Sequence, residues 1–225
     1  MSDRNVYTSD DLFEIFKEQH RLSSPLDFMA DKNFVLTKET LIYEWSDALD
    51  LLHWKKFAAF LNQEFRIKVS LKTWNTILNP DTKRTLGDLC DFLSTVAEKE
   101  IVKPIKIFGS ECLTSAVFMT LKRNLKTKGV DVVSLKPSTR IEDFLRINDN
   151  FSPLIEEVTL TGLKIFDTLE YKKLEKERRF EYWIDQIFPT WTYKDTISAG
   201  NIETFRDLVE KIVENKKPVV TTMES

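Results

Sequence analysis

Residues Thr85-Leu86-Gly87-Asp88-Leu89-Cys90-Asp91-Phe92-Leu93 and Thr204-Phe205-Arg206-Asp207-Leu208-Val209-Glu210-Lys211-Ile212 share one pattern: Thr, apolar, any, Asp, Leu, any, acid, any, apolar. Each reads as the start of a helix. Threonine is a favoured capping residue, and Leu86, Leu89, Cys90, Leu93, Val96 and Ala97 fall on one side at helical spacing. A second echo precedes each copy: Glu39-Thr40-Leu41-Ile42-Tyr43-Glu44-Trp45 and Ser138-Thr139-Arg140-Ile141-Glu142-Asp143-Phe144. Two signposts in the same order argue for one small unit used twice.

Working outward, Ser9, Asp10 and Asp11 open a helix that carries Leu12, Ile15 and Phe16 and fades near His20. Residues 21–38 read as a loop and 40–45 as a helical turn. Residues 47–65 read as a longer helix whose buried face holds Leu49, Leu52, Phe57, Phe60, Leu61 and Phe65. A short helix over 70–78 is broken by Asn79-Pro80-Asp81, and Thr85 caps a helix to about residue 100. Residues 102–108 form a linker with a local β-like alternation. Beyond it, Ser110 opens an amphipathic helix ended by Gly129, and 139–145 repeats the helical turn. Residues 151–166 have no counterpart in the first copy, and their Val158 to Gly162 patch is β-prone. A long charged helix is expected over 167–187, then a last helix to about Glu214. The expected divisions are a unit over 1–101, the linker 102–108, a second unit over 109–215 and a tail over 216–225.

This order of elements resembles the acyl carrier protein family, a four-helix bundle. Phe65-Arg66-Ile67-Lys68-Val69 is similar to the family's exit from its second helix. Thr85-Leu86-Gly87-Asp88-Leu89 is similar to the entry of its last helix, and 40–45 to the family's Thr-led turn ahead of the second helix. The resemblance implies an all-α fold of two tandem acyl-carrier-like four-helix bundles, the second enlarged by an insertion. Carriers place a serine in Asp-Ser-Leu at the start of the second helix, and its hydroxyl takes phosphopantetheine. Counting back from Phe65 and Phe188, the matching positions hold Leu51 and Leu174, which have no nucleophile. The implied function is therefore a non-catalytic binding or scaffold protein without a prosthetic group, its partner a protein. Two alternatives stand beside it. One is a divergent carrier with phosphopantetheine on the out-of-register Ser46 or Ser152; the other is a helical enzyme whose site assembles in space.

Composition narrows the rest. The chain has 225 residues, 42% hydrophobic and 31% charged, ordinary for a globular protein. Its net charge of −3 gives no sign of nucleic acid or an anionic membrane as partner. The basic run from Lys122 to Lys128 reads as the end of a helix, where cations favour the dipole. Of the acid pairs, Asp10-Asp11, Asp47 with Asp50, Glu142-Asp143 and Glu156-Glu157, most read as helix starts for the same reason. Cys90 falls on an inward face and Cys112 lies far from it, in no metal spacing. Neither His20 nor His53 has a His or Cys partner at helical spacing, so no metal site and no cofactor are expected. Trp183, Trp191 and Tyr193 are the candidate partner contact, being costly to expose. No signal peptide or membrane span is visible, and the cytoplasm is the expected location.

Overall fold

A computed structural model describes residues 5–27, 30–49, 53–146, 151–172 and 196–216. These are mostly helical. Five helices come first: α1 (Ser9–Ser23), α2 (Ile42–Leu49), α3 (Trp54–Glu64), α4 (Leu71–Leu78) and α5 (Leu86–Val96). A hairpin of β1 (Ile105–Ile107) and β2 (Ser110–Cys112) follows, then α6 (Leu113–Thr127), α7 (Ile141–Leu145) and α8 (Phe151–Thr159). Strands β3 (Glu170–Lys172) and β4 (Thr196–Ser198) pair antiparallel, and α9 (Phe205–Lys216) closes the described chain.

The quoted motifs do physical work at the helix starts. Thr85 Oγ1 accepts from the Asp88 amide at 3.1 Å, and the Asp88 carboxylate accepts from the Thr85 amide at 3.1 Å. This is a capping box, which satisfies two helix-end donors at once. Thr204 and Asp207 make the same pair at 3.3 and 2.8 Å, and Thr8 with Asp11 caps α1 likewise.

Each echo then pairs with its motif. Leu41 bridges Thr85, with Ile42 N donating to Arg84 O and Leu86 N to Thr40 O, both at 2.8 Å. Arg140 bridges Thr204, with Ile141 N donating to Glu203 O at 2.9 Å and Phe205 N to Thr139 O at 3.1 Å. Even the flanking threonines match: Thr40 Oγ1 accepts from Thr37 N and Thr139 Oγ1 from Lys136 N, each at 2.9 Å.

Two hydrophobic clusters result. The first runs from Tyr7 to Ala97 and is rich in rings: Phe16, Trp45, Phe57, Phe65 and Trp74. The second runs from Val117 to Val213 and is mainly aliphatic, but it also takes in Leu22 and Leu26 from the end of α1 and the turn after it. Helix α1 thus serves both, packing on α5 and on α8. Arg21 fastens it further by donating to the carbonyls of Phe166 and Asp167 at 2.6 Å.

Several sequence expectations change. Helix α1 continues past His20 to Ser23, because Leu22 is buried in the second cluster. The stretch expected as one helix over 47–65 is two pieces, α2 ending at Leu49 and α3 beginning at Trp54. Ser110 opens no helix. Residues 110–112 pair with 105–107 through a two-residue turn at Phe108 (φ 48) and Gly109 (φ 85), the primed geometry that suits hairpins. The linker is therefore half of a ribbon. The β-prone patch is the end of α8 and the turn after it. The long charged helix does not begin at residue 167, since Glu170–Lys172 is a strand; its remainder lies outside the described residues. No helix among the described residues is long and apolar enough to cross a membrane.

Candidate functional site

The ends of α3 and α6 meet between the two clusters. Both helices stop in the same way. After α3, Arg66 N donates to Gln63 O and Ile67 N to Asn62 O; after α6, Gly129 N donates to Lys126 O and Val130 N to Leu125 O. This double bond is the Schellman stop, which needs a left-handed residue after the cap. Gly129 (φ 87) fills that position without strain, whereas Arg66 (φ 53) does so against the steric preference of an L residue. A strained non-glycine held in place marks a position with another task. Arg66 donates to Glu100 at 2.9 Å.

The two stops bring Glu64 and Lys128 together. The Lys128 ammonium, its side chain 9% exposed, pairs with Glu64, with Glu156 at 2.6 Å and with Glu157 at 3.6 Å. Asn124 donates to Glu157 at 2.8 Å and to Glu100 at 3.0 Å, and Ser152 donates to Glu156 at 2.8 Å. Arg123 also pairs with Glu100. One polar network thus ties α3, α6, α8 and the stretch after α5.

Its electrostatics are unbalanced. Three carboxylates share one ammonium, and Glu64 also sits at a helix C-terminus, where the dipole opposes a negative charge. Burial, with Glu156 and Glu157 nearby, pushes the Glu64 carboxyl up to about 7 despite Lys128. Burial raises Glu157 as well. Burial works against the charge on Lys128, but Glu64 and Glu156 outweigh it and its pKa is raised. Glu64 Oε2 takes the Lys128 bond, while buried Oε1 has no hydrogen-bond partner. An unpaired buried acceptor costs about 1–3 kcal/mol.

Glu64 lines a cavity of about 390 Å³ that opens between the clusters. Phe65, Ile101, Val102, Val117, Leu121 and Ile212 supply apolar wall. Arg66 and Lys99 also line it, but both are engaged, Arg66 with Glu100 and Lys99 with Asp11 at 2.8 Å. Tyr7 closes one side and donates to Leu160 O at 3.2 Å. The cavity thus sets an apolar wall beside two carboxylate residues of the cluster, Glu64 and Glu157.

The sequence-derived candidates lie elsewhere. Ser46 is half-buried within α2, and Ser152 is exposed in the first turn of α8. Leu51, Leu174, Trp183, Trp191 and Tyr193 lie outside the described residues. His53 takes the position before α3 and His20 is buried, bonded to Phe34 O at 3.1 Å. Cys90 is buried as expected, and burial pushes its thiol up to about 12. No cluster of metal-ligating groups occurs among the described residues.

One expectation is corrected here: the Glu156-Glu157 pair lies inside α8 rather than at its start, facing Lys128. The basic run does end α6, with Lys128 as the residue after its last turn, and there Lys128 is also a buried ion-pair partner. The signal for Glu64 was a carboxylate placed against the dipole beside Phe65 at a helix C-terminus. No protein-family model, curated protein or solved structure matches the chain.

Proposed function

We propose that this chain is a non-catalytic binding protein: two acyl-carrier-like units without a prosthetic group, joined around a ligand cavity. The matching bridges Leu41–Thr85 and Arg140–Thr204 support the shared plan of the units. On the register of the sequence resemblance alone, Leu51 and Leu174 stand where a carrier needs a hydroxyl, which is the ground for proposing no prosthetic arm. The cytoplasm is the proposed location, in keeping with two unbridged cysteines.

The observation that carries the binding reading is the inter-cluster cavity itself, which sets an apolar wall beside Glu64 and Glu157 of the carboxylate-rich cluster. The ligand is a small molecule with a primary ammonium on an apolar body. Its charge completes a cluster in which Glu64, Glu156 and Glu157 share the Lys128 ammonium, and its body lies along the apolar wall.

Calorimetric titration with phenethylamine and longer apolar amines tests this. Binding is expected to strengthen from pH 6 to pH 8, as Glu64 loses its proton near 7 while the amine stays charged. Glu64→Gln keeps the shape and removes the charge, and about a tenfold loss of affinity is expected. Equal affinity in that variant, or no binding by any amine, overturns the reading.

A further inference from the structure

The inter-cluster cavity carries opposite charges at its two depths. Glu64 and Glu157, its carboxylates within the Lys128 cluster, have side chains only 2% and 6% exposed. Arg66 and Lys99 line the same cavity with side chains 49% and 35% exposed. Both cations act at one ring. The Lys99 ammonium lies 5.5 Å from the centre of the Tyr7 ring. Burial and the Glu64 charge raise the Tyr7 hydroxyl, and the Arg66 charge opposes them. Burial likewise raises Glu157, and Arg66 joins Lys128 and Asn124 in opposing it. The guanidinium thus acts on two residues of the cavity wall as well as on Glu100.

Each cation keeps bonding capacity in reserve. Arg66 gives Glu100 a single donor, Nη1 at 2.9 Å, and its Nε and Nη2 have no acceptor among the described residues. Lys99 meets one carboxylate, Asp11. Ion pairs this exposed contribute little, so a competing anion displaces them at small cost. The rim carboxylates compete weakly: Glu100 is shared with Arg123 and Asn124, and Glu98 is exposed to water.

Arg66 also holds its place against a steric cost. The matching stop after α6 uses Gly129, where α3 is followed by Arg66 at φ 53. Glycine would fill that position without strain. An exposed pair with Glu100 is worth less than the strain, so the guanidinium at this rim has a use that the pair does not supply. The edge formed by Nε and Nη2 matches the two oxygens of a carboxylate.

We infer that the ligand of this cavity is an aminocarboxylic acid: its ammonium lies at the buried Glu64–Glu157 end, its apolar body along the wall, and its carboxylate at the rim with Arg66 and Lys99. This rests on the amine reading above and adds the second charge.

The test is calorimetric titration of the full chain at pH 8 and low salt with octylamine and ω-aminooctanoate. These differ only in a terminal methyl against a carboxylate, and octanoate serves as the probe without the ammonium. The ω-aminooctanoate is expected to bind about tenfold more tightly than octylamine, the worth of one charge-assisted contact, and octanoate to bind most weakly. Added salt is expected to shrink the tenfold advantage, since the rim is open to solvent. Arg66→Gly places at this stop the residue that α6 already uses there, so the turn is kept. In that variant the advantage is expected to vanish while octylamine affinity stays. Arg66→Lys, which keeps the charge without the planar fork, is expected to retain part of it. Octylamine binding with no gain from the carboxylate, or a gain that survives Arg66→Gly, overturns this inference and leaves the amine reading standing. No binding by either compound overturns both.

Discussion

The two halves of the molecule close on themselves with the same clasp and fill their interiors differently. In the first, the bridge from Leu41 to Thr85 encloses a core of rings. Trp45 stacks edge-on to Phe16 and Phe57 at 5.3 and 5.7 Å, and Trp74 to Phe92 at 5.3 Å. In the second, the bridge from Arg140 to Thr204 encloses mostly leucine, isoleucine and valine, with Phe144 against Phe205 at 4.9 Å. The clasp depends on backbone bonds and a Thr–Asp cap, and so tolerates any apolar filling of adequate volume. It also tolerates its own variation. Gly87, whose amide bonds Lys38 O, corresponds to Arg206, whose amide bonds Pro137 O, both at 2.8 Å. The clasp sets where the chain crosses; the core sets what the crossing surrounds.

The largest expected effect asks whether the halves are separable. Leu89 and Leu208 are both fully buried at the same place in the two motifs. Replacing either with alanine is expected to cost about 2–5 kcal/mol, from lost transfer energy and the cavity left behind. Because α1 feeds both clusters and the Lys128 network crosses between them, both variants are expected to shift one shared urea transition. Two separate transitions, each sensitive to one leucine, would show that the halves fold independently.

Cutting the joint comes next. Lys128→Met leaves Glu64, Glu156 and Glu157 without their shared cation, at an expected cost of about 3 kcal/mol at neutral pH. The sign with pH follows from the raised carboxyls. A carboxyl whose folded pKa exceeds its unfolded value loses folding stability as pH rises through that interval, here from about 4.5 to about 7 for Glu64. Without Lys128 the carboxyls rise further, so the variant's deficit grows toward alkaline pH. Urea unfolding at pH 5 and pH 8 checks this; an equal deficit at both would show that the cluster is not ionised in the way described.

The smallest effect sharpens the likeness itself. Thr85→Ala and Thr204→Ala each remove one clasp cap, and each is expected to cost about 1 kcal/mol. Similar values by thermal or urea unfolding support equivalent roles. A large difference would mean that the shared geometry carries different loads in the two halves.

Local chemistry was legible from the chain. Thr85 and Thr204 cap helices, Cys90 faces inward and α6 stops before Gly129, because each depends on a few neighbouring residues. Where pairing is non-local, local reading misled. Glu170–Lys172 lies in a stretch whose residue pattern reads as helix but pairs with Thr196–Ser198, and Ser110–Cys112 answers to β1 rather than to α6.

The sequence by itself determined the helical class, the cap positions and the recurrence of the clasp motif, since caps and amphipathic spacing act over one or two turns. Only the tertiary structure decided what the polar residues do. Glu64, Lys128 and Glu156 are far apart in the chain, and each alone reads as an ordinary surface charge. Their burial together makes an unbalanced cluster, because energy at such a site depends on what is near in space and on how little water remains there.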